Sequence, residues 1–155
     1  MTAQNDLENP NVKAFLALIK KHESRGGDYS IIYGGGHFTD FSAHPNKRVP
    51  FMNPKTKKMD YSTAAGAYQI NWATWLEINA VMSLPDFGKQ SQDLAAIILL
   101  RKIGALPLII AGDLNGALQK ASGRWASLPY STSMQNKTST MQAQADYLGA
   151  GGRMA

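Results

Sequence analysis

The sequence predicts an α+β fold: a small β-hairpin lobe, a larger helical lobe and a cleft between them. Three observations lead there. Apolar residues recur at helical spacing before residue 23 and again from residue 64 onward. Between these regions, two short β-branched and aromatic runs flank a triple glycine, Gly34-Gly35-Gly36. A glutamate, Glu23, closes the first helix on its apolar stripe.

The first helix is predicted over Pro10 to His22, with Asn9 as N-cap and proline in its favoured first position. Val12, Leu16 and Ile19, flanked by Phe15, form its buried stripe, and Gly26-Gly27 stop it. Tyr29 to Tyr33 and His37 to Phe41 are read as two strands of a hairpin turned by the glycines. Ser42 to Ser62, with Pro45, Pro50 and Pro54, reads as irregular, with one more strand around Val49 to Met52. Helices follow from Trp72 to about Met82 (cap Asn71), from Ser91 to Ile103, from Pro107 to Ala111 and from the cap Asp113 to about Ala121. A polar run, Tyr130 to Thr140, reads as a mobile loop before a last helix, Ser139 to Leu148. Residues 1–155 are expected to form one domain, with 1–9 and 150–155 as flexible tails.

Composition narrows the function. A chain of 155 residues with 44% hydrophobic and 17% charged residues suits one globular body. The longest apolar run, Leu94 to Leu100, is far short of the ~20 residues of a membrane span, so no stable membrane insertion is expected. The N-terminus lacks a basic start and an apolar core, so no signal peptide is expected. Cysteine is absent, which removes disulfides and thiol nucleophiles. A net charge of +5 favours a polyanionic partner, either nucleic acid or an anionic wall polymer. Lys47, Arg48, Lys55, Lys57 and Lys58 cluster in a proline-rich stretch with no recognised nucleic-acid-binding pattern, so no nucleic-acid partner is expected.

Glu23 follows Ile19 by four residues and Leu16 by seven, which puts a carboxylate on the apolar face. Partial burial and the negative end of the helix both favour its protonated form, as a general acid requires. The bland alternative is a surface glutamate paired with Arg25. Metal chemistry is not expected, because the position four after His22 is Gly26 and the zinc-protease pattern is broken. No GxSxG elbow occurs, and the triple glycine has no GK[ST] after it. Carboxylate chemistry on a glycosidic bond remains, with Glu23 as acid and Asp40 as a candidate second carboxylate or a local turn-former. Trp72, Trp75 and Trp125 read as core rather than sugar platforms, whereas Tyr33 and Tyr68 lie beside glycines and suit a cleft lining.

Several stretches carry a resemblance. Lys13-Ala14-Phe15-Leu16, Ile31-Ile32-Tyr33-Gly34-Gly35, Phe38-Thr39-Asp40-Phe41-Ser42-Ala43-His44-Pro45, Gly66-Ala67-Tyr68-Gln69, Gly104-Ala105-Leu106-Pro107 and Trp125-Ala126-Ser127-Leu128-Pro129 occur in the order found in lambda-type bacteriophage endolysins. The sequence resembles that family over about residues 13–129. The resemblance implies a lysozyme-like fold and cleavage of the β-1,4 bond between N-acetylmuramic acid and N-acetylglucosamine in peptidoglycan. It places the catalytic residue at Glu23 and has the substrate's own C6 hydroxyl attack C1, giving a 1,6-anhydro product. Ser24, Tyr33, Asp40, Tyr68, Gln69, Ser127 and Tyr130 are the expected substrate-binding residues.

By the same resemblance the chain works without a cofactor or metal, as a monomer, on peptidoglycan glycan strands. It waits in the host cytoplasm until a holin, which it does not bind, permeabilises the membrane, and then reaches the periplasm and cell wall. Three departures stand out: Ser24 replaces the family's glycine, Pro50 to Thr63 is longer, and Tyr130 to Gln135 replaces a glycine-rich segment. The last two stretches correspond to the lips over the family's cleft. A hydrolytic lysozyme using Glu23 and Asp40, and an inert peptidoglycan-binding module, are the competing readings.

Overall fold

The computed structural model describes residues 3–132 and 137–155. Its elements are α1 (Ala3–Asp6), α2 (Pro10–Glu23), β1 (Val49–Met52), β2 (Met59–Ser62), α3 (Trp72–Val81), α4 (Lys89–Lys102), α5 (Leu106–Ile110), α6 (Leu114–Ala121) and α7 (Thr140–Gly149). The α+β, lysozyme-like reading holds: a two-stranded antiparallel sheet stands beside a helical body.

The helical body forms around α4. Leu94 to Leu100 are all buried, and a helix that is apolar on every side belongs in the middle of a core. α1, α3 and α5 pack on it, and α2 packs on α5 and α7. The α2 stripe is buried as expected, and Asn9 caps the helix by accepting from the backbone N–H groups of Asn11 and Val12. Asn71, Asp113 and Ser139 cap α3, α6 and α7 in the same way. Ser91, expected as the α4 cap, instead lies within the first turn, with Gly88 at the cap position. Its hydroxyl donates to Asp86 Oδ1 at 2.8 Å, an oxygen that also accepts the Gly88 N–H at 2.9 Å.

The hairpin lies elsewhere in the chain than expected. Around the glycines there are only isolated bridges, Ile31 with His37 and Ile32 with Ala65. Gly34 and Gly35 have φ of 87° and 103°, so the chain makes a wide turn of 3-10 type rather than a tight hairpin bend. The true ladder joins β1 and β2, pairing Val49 with Ser62 and Met52 with Met59, inside the stretch read as irregular. Asn53 organises its turn by accepting from the N–H groups of Lys55 and Thr56, and Lys57 takes the left-handed conformation. Pro50 is tolerated because each strand of a two-stranded sheet is an edge.

Neither terminus is the loose tail the sequence suggested. Asp6 is buried and paired with Arg101 at 2.7 Å. At the other end, the Arg153 N–H donates to Asn11 Oδ1 at 2.9 Å, and the Ala155 N–H to the Gly112 carbonyl at 3.1 Å. Gly152 lies against the Tyr147 ring, where an added Cβ would fall 2.4 Å from a ring carbon. The loop expected over 130–140 is described only in part, because residues 133–136 lie outside the described residues.

Candidate active site

Glu23 is the last residue of α2. Three successive residues with positive φ follow Ser24, namely Arg25 (55°), Gly26 (96°) and Gly27 (105°), and they turn the chain away from the helix axis. Ser24 is fully buried, its hydroxyl donating to the Lys20 carbonyl at 2.9 Å, so it closes the helix and offers no surface to a sugar. Glu23 is half-buried and accepts a 2.8 Å hydrogen bond at Oε1 from the Ser127 hydroxyl. Burial pushes its carboxyl above the ordinary carboxylate range. The hydrogen bonds from Ser127 and the nearby His22 oppose that push without cancelling it. No ion pair joins Glu23 to Arg25 among the described residues, which sets aside the bland reading of this glutamate.

Glu23 faces an open cleft of about 390 Å³, walled by Ile31 to Gly35 on one side and by Arg124 to Ala126 on the other, with Gln69 and Arg25 between. Tyr33 and Ala126 also border an adjoining groove of about 610 Å³ that runs between the β1–β2 turn and Ser131-Thr132. On the other side, His22 leads into a smaller hollow of about 280 Å³ lined by Ser127, Lys137 and Thr138. The hollows share lining residues, so they form one elongated trough with Glu23 partway along it. Such a shape suits a chain-like ligand better than a compact one.

Of the expected substrate-binding residues, Tyr33, Gln69 and Ser127 reach this trough. The Tyr33 ring is 36% exposed and packs at 5.3 Å on Phe51 of β1, which leaves part of it free as a platform. Gln69 sits at φ 50°, its amide braced on the Gly66 carbonyl at 2.9 Å. Tyr68 is placed differently from expectation. It is buried, its hydroxyl donating to Asp93 Oδ1 at 2.5 Å, and its backbone carbonyl accepts the Trp125 indole N–H at 2.9 Å. Asp40 lines none of the three hollows. It is solvent-exposed, accepts the Ser42 N–H at 2.9 Å, and that bond holds its carboxyl below the ordinary range. Tyr130 is also outside them, hydrogen-bonded to Asn115 of α6.

The comparisons with known proteins agree with this geometry. A family model described as Endolysin matches residues 13–154. The endolysin of Escherichia phage lambda is 39% identical over 129 residues, covering 78% of each chain. The endolysin of Escherichia phage P2 is 34% identical over 131 residues, covering 77% of this chain and 79% of that one. The chain belongs to the endolysin family. Among solved structures, bacteriophage lambda lysozyme complexed with a chitohexasaccharide superposes on the endolysin with a TM-score of 0.83 at 36% identity, covering 95% of this chain and 97% of that one. A second structure of the lambda lysozyme gives 0.79 at 33% identity with the same coverage.

Four residues in the endolysin's cleft escaped the sequence reading: His22, Arg25, Arg124 and Trp125 in its lining role. Adjacency to Glu23 was an available signal for His22 and Arg25. Arg124 had none, because only the fold brings residue 124 opposite residue 25 in the lining. His22 is tethered to Asp146 of α7 at 2.7 Å, and Lys21 meets the same carboxylate at 2.6 Å.

Proposed function

We propose that this endolysin is a lytic transglycosylase. It cuts the β-1,4 bond between N-acetylmuramic acid and N-acetylglucosamine and leaves a 1,6-anhydromuramic acid end. The observation that carries the reading is that Glu23 is the one carboxylate among the described residues lining the trough. Glycoside hydrolysis by either standard route needs two carboxyl groups flanking the bond. One suffices when the nucleophile belongs to the substrate.

The protonated Glu23 gives its proton to the glycosidic oxygen as the bond to C1 breaks. The carboxylate so formed takes the proton of the muramic acid C6 hydroxyl as that oxygen closes on C1, which returns Glu23 to its starting state. Ser127 steadies the ionised intermediate state through its 2.8 Å hydrogen bond. A positioned internal hydroxyl has a high effective concentration that a free water must match. Tyr33 and Gln69 hold sugars on either side, while Ser24 and Tyr68 act from behind the surface.

The site residues, the monomeric state and release to the wall after holin action belong to the same proposal. Among the described residues no helix is long and apolar enough to cross a membrane. Mass spectrometry of fragments from purified peptidoglycan in labelled water tests the chemistry. Fragments one water lighter than lysozyme products, with no reducing end and no label, are expected. Labelled reducing ends would make the enzyme a hydrolase, and Asp40 the next residue to substitute.

A further inference from the structure

Arg25 and Arg124 enter the same cleft from opposite walls, one after the end of α2 and the other after α6. Arg25 takes φ 55°, and its guanidinium lies over Gly35, where an added Cβ would fall 3.0 Å from a guanidinium nitrogen. Among the described residues it forms no ion pair. Arg124 is held at its base by long contacts, 3.4 Å to the Thr74 hydroxyl and 3.9 Å to Glu77, whose carboxylate also meets Lys102 at 3.4 Å. The lining therefore holds two guanidinium groups, and its one carboxyl, Glu23, pairs with neither. A buried ion pair with Glu23 would favour its ionised form and spoil an acid, so these cations answer to something other than the catalyst.

We propose that Arg25 and Arg124 form a carboxylate subsite that selects anionic muramyl glycan over neutral chitin-like glycan. This rests on the reading that the cleft takes peptidoglycan. The planar fork of a guanidinium matches a carboxylate, and a cleft wall focuses its field more than an open surface does. Peptidoglycan offers carboxylates from two sources, the lactyl group of muramic acid and the stem peptide. Both share the chemistry the two arginines recognise.

The test measures binding in a Glu23→Gln background, where cleavage does not deplete the probe. Three probes are used: a neutral chitin hexasaccharide, a stem-free alternating glycan of the same length bearing only lactyl carboxylates, and that glycan with its stems. Arg25→Gln with Arg124→Gln should weaken binding of an anionic probe about tenfold or more, while binding of the chitin hexasaccharide changes less than twofold. Lysine at both positions should restore part of the loss. An equal loss for both anionic probes assigns the lactyl carboxylate, and a loss confined to the stem-bearing probe assigns the stem. Equal weakening of all three probes, or no weakening of any, overturns the subsite, with the thermal melting point separating either from misfolding. Full lysis by Glu23→Gln would instead overturn the catalytic reading and leave these binding differences interpretable.

Discussion

Acidification should loosen α7 from the end of α2, and Asp146 sets the pH at which this happens. Its carboxylate is 7% exposed and accepts from Lys21 Nζ at 2.6 Å, His22 Nε2 at 2.7 Å and Gln142 Nε2 at 2.9 Å. Desolvation pushes this carboxyl up, but the three hydrogen bonds and the Lys21 charge outweigh it and hold it at about 2, against an ordinary 3.8. At about 1.4 kcal/mol per pH unit that difference is worth about 2 kcal/mol. The Lys21 side chain is 54% exposed, so solvent screening reduces the figure to about 1–2 kcal/mol. A carboxyl whose folded value is depressed contributes stability above its unfolded value and loses it as pH falls. The contribution is therefore complete above about pH 5 and gone by about pH 2. Urea unfolding followed by circular dichroism should put the wild-type midpoint above that of Asp146→Asn by roughly 0.5–1 M near pH 5, with the gap closing toward pH 2. Parallel midpoints across that range would show that the clamp is compensated by solvent, and would refute the assignment of α7 docking to this carboxylate.

Other outcomes follow from the same geometry. Glu23→Gln should keep the fold and lower lysis by a factor of ~10² or more, read by turbidity loss of permeabilised cells. Asp40→Asn should cost under about threefold in the same assay, because its one printed partner is a neighbouring backbone N–H, and a loss matching that of Glu23→Gln would restore the two-carboxylate mechanism. Replacing the exposed Lys55, Lys57 and Lys58 of the β1–β2 turn with Gln should flatten the decline of lysis with added salt, and an unchanged profile would make them ordinary surface charges.

Helix ends were readable in the sequence because capping is local chemistry. Asn9, Asn71, Asp113 and Ser139 each cap the helix that follows, through a side chain bonded within three residues. Glu23 was readable for a related reason: its conflict with the apolar stripe is visible at spacings of four and seven. The hairpin was not, since its strands carry only weak alternation and a proline, and strand pairing is decided by partners ten or more residues away. Asp6 with Arg101 and Arg153 with Asn11 defeated the expectation of loose tails, because both depend on tertiary neighbours 95 and 142 positions away.

The Gly66-Ala67-Tyr68-Gln69 stretch shows how a motif can be legible as important while its role is not. Composition beside a glycine suggested that Tyr68 faces sugar. The turn instead divides its labour by backbone geometry. A Cβ at Gly66 would fall 2.2 Å from Gln92 Oε1, and the same oxygen accepts the Ala67 N–H at 2.8 Å, so glycine lets α4 grip this turn closely. Tyr68 points inward to Asp93, which Tyr29 also meets at 2.8 Å, and its carbonyl fixes the Trp125 indole. Trp125 begins the Trp125-Ala126-Ser127 wall that hydrogen-bonds Glu23. Only Gln69, carried by its positive φ, turns toward the cleft. The three inner residues thus set where Ser127 stands relative to the catalytic carboxyl, and a site built on a helix end and a loop gains its rigidity from the buried polar contacts behind it.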